Sequence, residues 1–268
     1  MEQFIISNFS FGLGSVLIGI TAFVMLNLGL VIFLGSKDVA ARAFAFLTFV
    51  VVLWSIFNLL MTATLQMSHL GRVFGRLAYS TGLFVSLSLS YFCFVHATKQ
   101  RNMLLEITYV LVALFSTCFL VFTNGFFMDD RWIREIASVG VQVWGIADGP
   151  FSFVYYFFYV GSVVLGLVVL RIKAKQEQDM LRKKQLLNMF WIVLIGIVPP
   201  TITSIVLPAL YVFEYDWIGG VLGIFWVSIT SYFLLKKDQT EQVFPVMIVK
   251  AELLVIALIF IFGIGMFY

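Results

Sequence analysis

Eight apolar stretches, each long enough to cross a bilayer, take up nearly all of this 268-residue chain. A hydrocarbon core of about 30 Å is spanned by roughly 20 residues of α-helix. In lipid the backbone N–H and C=O groups must be paired within the segment, so single spans of this length are helices. The stretches run 12–34, 43–65, 74–97, 103–123, 151–171, 187–209, 217–235 and 248–268. The fold class expected is therefore all-α, a polytopic transmembrane helix bundle. Only 12% of the residues are charged, about half the usual share for a globular chain, so no soluble domain competes with this reading. The net charge of +3 is not a nucleic-acid signature, because the basic residues lie in short inter-helix loops.

Those loops also set the orientation. Thirteen Lys and Arg fall in the odd-numbered loops and four in the N-terminal segment and even-numbered loops. Positive residues stay on the cytoplasmic side, which predicts odd loops inside, the N-terminus outside and, with eight spans, the C-terminus outside as well. The first ten residues contain no Lys or Arg, so the first span is expected to remain as an anchor rather than be cleaved.

Two loops exceed the minimum length. The basic one, RIKAKQEQDMLRKKQ (171–185), is expected to prolong the fifth and sixth helices beyond the membrane and to lie against anionic lipid. The outer one covers 125–150. Asp129 and Asp130 before Trp132, Ile133 and Ile136 suit a short interfacial helix, while Val139, Val141 and Val143 alternate as a strand or hairpin arm does. Asp148, Gly149 and Pro150 then form a turn. Trp132, Trp144 and Trp217 fit the outer water–lipid boundary.

Candidate chemistry inside the membrane is sparse. A deep ionisable group would mark a site, but Glu106, Glu252 and His96 all lie near predicted span ends. That counts against ion-coupled transport. A lysine in mid-helix, as retinal attachment requires, is missing from the seventh span, whose lysines are Lys236 and Lys237 at its end. Asn27, Asn58 and the hydroxyls of Ser86, Ser88, Ser90, Thr201 and Thr203 read as hydrogen-bonding groups between helices. Gly161, Gly166 and Gly223 suit close helix approach, and Cys93 and Cys118 are expected to be buried as small apolar residues. No metal ligand set, cofactor site or catalytic residue is indicated.

Two constellations stand out. Pro199 and Pro200 fall in the middle of the sixth span. Their rings remove two backbone donors and clash with the preceding turn, so a kink is expected there and the pair is a candidate hinge. In the fifth span Tyr155 and Tyr159 share a face four residues apart. With Trp144 above them they are candidate walls of a pocket for a small lipophilic or aromatic ligand, the alternative being an aromatic belt and core.

The order of these features resembles the N-terminal seven-helix membrane region of bacterial and archaeal sensor histidine kinases. The resemblance rests on FAFLTFVVVLWSIFNLLMTAT with its central Trp54, on GRVFGRLAYSTGLF, on WGIADGP before an aromatic helix, on RKKQLLNMFWIVLIGIVPPTITSIVLPAL and on YFLLKKDQ. It covers roughly residues 10–240, with VFPVMIVKAELLVIALIFIFG similar to an eighth helix of some members. It implies a seven-helix sensory region (1–240) followed by an eighth transmembrane helix (241–268), and a module that passes a stimulus to a cytoplasmic kinase. The kinase motifs are not in this sequence: neither His69 nor His96 has a phosphoacceptor context. The expectation is a sensor region cut short, or a free-standing relative without catalytic activity, in the plasma membrane. Its expected partners are membrane lipids and a cytoplasmic or membrane signalling protein, with homodimerisation as an option. The competing reading is a small-solute permease or membrane assembly factor.

Overall fold

The computed structural model describes residues 13–64, 68–122, 127–136, 141–148, 152–206 and 216–237. It holds α1 (Leu13–Gly35), α2 (Val39–Ala63), α3 (Ser68–Thr98) and α4 (Met103–Phe122), then strands β1 (Phe127–Ile136) and β2 (Val141–Asp148). There follow α5 (Ser152–Gln176), α6 (Met180–Thr201) continued by a π-turn over Ile202–Val206, and α7 (Asp216–Lys237). Six of these helices are long and apolar enough to cross a membrane. The eighth expected span, 248–268, lies outside the described residues.

Local chemistry fixes where the helices begin. Asp38 adopts an extended conformation and accepts from the Ala40 amide at 3.3 Å, which caps α2. Asp179 does the same for α6 through the Leu181 amide at 2.9 Å. Asn102 caps α4 by accepting from Leu105 at 3.1 Å. α3 ends on Lys99, which takes a left-handed φ of 59° although it is not glycine. As expected from the 171–185 charge pattern, α5 and α6 extend toward each other and leave only Glu177–Asp179 between them.

The chain order does not give the packing order. α1, α2, α3, α5, α6 and α7 pack in sequence around a ring that α7 closes against α1, while α4 lies outside the ring against α3. The turns before α2, after α3 and between α5 and α6 gather at one end, the basic end. The β-hairpin between α4 and α5 marks the other, the hairpin end.

Two cores result. Toward the basic end all six ring helices meet around residues such as Met25, Phe44, Phe92, Leu170, Met189 and Trp226. Phe44 is the hub, with Phe92 at 5.1 Å and Trp226 at 5.8 Å between ring centroids. Toward the hairpin end a smaller core joins α3, α4 and α5 through Leu83, Leu87, Ala113, Leu120, Tyr155 and Tyr159.

Several expectations need correction. Residues 127–136 are not an interfacial helix: they form β1, paired antiparallel with β2 so that Trp132 stands opposite Trp144. Of the alternating valines, Val141 and Val143 belong to β2, while Val139 lies outside the described residues; cross-strand pairing outweighs the helical spacing of Ile133 and Ile136. Asn27 donates to the Phe23 carbonyl at 2.8 Å, one turn back on its own helix. Thr48, Ser55 and Ser162 back-bond in the same way, whereas Ser80 with Thr117 and Ser90 with Tyr109 join two helices. Gly166 does allow close approach, since a Cβ there would lie 3.1 Å from the Ser90 Cα, but Gly161 faces open space. Cys93 is buried and Cys118 exposed on α4.

Candidate functional site

At the hairpin end, α3 and α5 are joined by a tyrosine cluster. The Tyr155 hydroxyl donates to the Tyr79 carbonyl on α3 at 2.9 Å. Its ring stands edge-on to Tyr79 at 5.8 Å and to Tyr156 at 5.5 Å, and stacks on Tyr159 at 6.3 Å. The four-residue spacing puts the two rings one turn apart on the inward face, where Tyr155 is 3% and Tyr159 8% exposed. Gly82 makes room for them. A Cβ at Gly82 would meet the Tyr155 hydroxyl oxygen at 3.2 Å and the Trp54 Nε1 at 3.5 Å, so the central tryptophan of α2 reaches this cluster too. The backbone of Trp144 lies in β2, and β2 packs against α3. The side chain of Trp144 falls outside the described residues.

On α6, Pro199 and Pro200 lie within the last turn of α-helix, and the chain then widens into the π-turn Ile202–Val206. The absent proline N–H groups leave the carbonyls of Ile195 and Gly196 without their usual partners four residues on. A π-turn is one of the local adjustments by which a membrane helix accommodates an interrupted ladder. The Thr203 hydroxyl donates to the Pro199 carbonyl at 3.1 Å and to that of Pro200 at 3.4 Å. Thr203 thus braces the widened turn, although the carbonyls it serves lie one turn beyond those the prolines release.

The two constellations touch. The Tyr159 phenol interacts with the Thr201 side chain, one residue after the proline pair. The hydroxyl end of the tyrosine cluster therefore reaches the residue that immediately precedes the π-turn.

Two further residues pack beside the proline pair and were not singled out from sequence. Gly196 precedes Pro199 by less than one turn, and a Cβ there would fall 1.9 Å from Trp226 Cδ1. Trp226 of α7 is seated in the notch that Gly196 leaves, where its Nε1 is buried without a hydrogen-bond partner. The sequence signal was a mid-span glycine beside a proline pair and a tryptophan in mid-span, but nothing in the sequence pairs them.

At the basic end the helix termini are tied by charge. Lys99 Nζ reaches Asp38 Oδ2 at 3.1 Å, joining the turn after α3 to the turn before α2 at this same end. Arg182 at the start of α6 donates to the His96 carbonyl, a cation on the carbonyl-rich C-terminus of α3. Arg101 holds Glu106 through two bonds of 2.7 Å, and the Tyr91 hydroxyl also donates to that carboxylate. The paired carboxylate pushes the Arg101 guanidinium pKa further up. Glu106 is thus a charge paired at a helix start, as its position near a span end suggests. Among the described residues no group of His, Cys, Asp and Glu is placed to hold a metal ion.

No similar curated protein and no similar solved structure was found. The family described as the N-terminal 7TM region of histidine kinase matches residues 17–236, which reaches from α1 to the end of α7. That family is a sensor region that precedes the kinase, not a catalytic domain. With the apolar helices packed as a bundle, the match over most of the length shows that this chain belongs to the N-terminal 7TM region family of histidine kinases.

Proposed function

We propose that this chain is a plasma-membrane sensory module in which a stimulus at the tyrosine cluster changes the bend of α6 and is read out at the basic end. In this reading the N-terminus and hairpin face outward and the basic end is cytoplasmic, following the distribution of Lys and Arg. The module has no catalysis of its own and acts on a kinase, either joined to it or as a partner.

The observation that supports the reading is the interaction of Tyr159 with Thr201, which links the tyrosine cluster to the proline pair and the π-turn that follows it. A ligand that packs against Tyr155 and Tyr159 in one position of α6 better than in another would shift the bundle by its differential affinity. α6 carries the shift inward, because Arg182 at its other end grips the terminus of α3. The ligand class that suits a tyrosine wall is small, lipophilic or aromatic.

The test is a chimera in which a cytoplasmic histidine-kinase output module follows Lys237. Replacing Pro199 and Pro200 by Ala is expected to change autophosphorylation in inside-out vesicles several-fold, and Tyr159→Phe to change it in the same direction by less. Output unaltered by all of these substitutions, with expression and insertion intact, would refute the sensory reading.

A further inference from the structure

The charges at the basic end fall into two sets. Asp38 with Lys99, Glu106 with Arg101, and the His96 carbonyl with Arg182 are satisfied inside the protein. The outer side of the α5–α6 seam is different. Arg171 lies on α5 with its guanidinium 5.9 Å over the ring of Phe190 on α6, which fixes the height at which the two helices face each other. Lys175 is one turn further on the same stripe, and Lys183 is on the α5-facing side of α6, two turns below Phe190. Arg171 and Lys175 are exposed and Lys183 half-buried. The two acids of the intervening turn are engaged with backbone: Asp179 caps α6, and Glu177 accepts from the amides of Gln178 and Asp179.

Directly above these cations the same seam becomes apolar. Val164 and Val168 continue the α5 stripe at 50% and 44% exposure, and Trp191 flanks it on α6 at 53%. A cationic floor under an exposed apolar wall, with an indole at the junction, matches one kind of molecule: a headgroup phosphate joined to acyl chains.

We propose that the α5–α6 seam is a binding site for an anionic phospholipid, with Arg171, Lys175 and Lys183 holding the phosphate and Val164, Val168 and Trp191 lining an acyl chain. Arg171 is the central group. Its guanidinium offers paired donors to phosphate oxygens, and stacking on Phe190 holds it at the depth of the headgroup. The site borders α6 on the face away from Trp226, so an occupied seam braces the segment between the kink and Arg182. The inference rests on the seam alone and stands whether or not the bundle senses a stimulus.

The experiment uses the full chain, extracted from nanodiscs of mixed phosphatidylcholine and phosphatidylglycerol and examined by native mass spectrometry for retained lipid. Retained phosphatidylglycerol is expected to exceed phosphatidylcholine. Lys175→Gln should lower that preference on the order of fivefold, and Arg171→Gln by at least as much. Lys173→Gln removes the same charge from another side of α5 and should leave it unchanged. Equal loss from Lys173→Gln and Lys175→Gln would mean attraction by net charge and overturn the site. So would an unchanged preference in both. Inorganic phosphate, compared with chloride at matched ionic strength, should not displace the lipid; displacement would identify a soluble-anion site and overturn the lipid assignment. Lys175 is exposed, so its replacement tests the site without threatening the fold.

Discussion

α3 and α4 are neighbours in sequence and in space, yet they solve opposite problems. In α3, 72% of the most apolar window is buried; in α4, 17% is. The buried helix is the less apolar of the two. It carries Ser80, Thr81, Ser86, Ser88 and Ser90 on surfaces that other helices cover. α4 shows Leu104, Leu111, Leu114 and Phe115 outward. In water this ranking would be reversed. In a bilayer, lipid is as apolar as a leucine core, so hydrophobicity does not decide which helix is inside. Small residues and hydroxyls do, because they permit close backbones and can bond across helices, as Ser80 does with Thr117 and Ser90 with Tyr109. Gly166 against the Ser90 Cα is such an approach.

The contrast gives a matched pair of substitutions. Phe92 on α3 is fully buried between Phe44 and His96, so Phe92→Ala leaves a cavity in the six-helix core. A loss near the low end of ~3–5 kcal/mol is expected, since the transfer part of that figure shrinks in lipid. Phe115→Ala on α4, where the ring is 71% exposed, should change stability by less than about 0.5 kcal/mol. Unfolding equilibria in mixed micelles would measure both. Comparable losses at the two positions would mean that α4 is covered by something in the membrane.

A smaller effect sharpens the same point at the hairpin end. Tyr155→Phe keeps the ring stack and removes the bond to the Tyr79 carbonyl. The expected loss is about 0.6 kcal/mol, the average for a hydrogen bond between membrane helices. A loss several times larger, read from the same micelle titration, would show that this one bond holds α5 on α3.

What was legible in the sequence follows from the same physics. The bilayer demands a run of apolar residues, so all seven described helices stand where such runs predict them, with ends displaced by capping residues such as Asp38 and Asp179. The proline pair and the Tyr155–Tyr159 face were legible because spacing along one helix is local information. Partner choice was not. Apolar faces toward lipid and toward protein look alike, so nothing in sequence placed α4 outside the ring or seated Trp226 on Gly196. Asn27 misled because a helix offers an amide its own carbonyl one turn back, here that of Phe23. The loop after α4 misled because pairing with a second strand is not visible in the first strand's own spacing.

The central claim is that the proline pair sets the position of the basic end of α6 relative to α3. The most direct measurement is a spin-label distance between positions 100 and 184 in the full chain, by double electron–electron resonance in nanodiscs. With Pro199 and Pro200 replaced by Ala, the bend relaxes and the distance distribution should move by several ångströms, while Thr203→Val should shift it partway. Superimposable distributions for wild type and the double substitution would contradict the account, because α6 would then hold its course without the prolines.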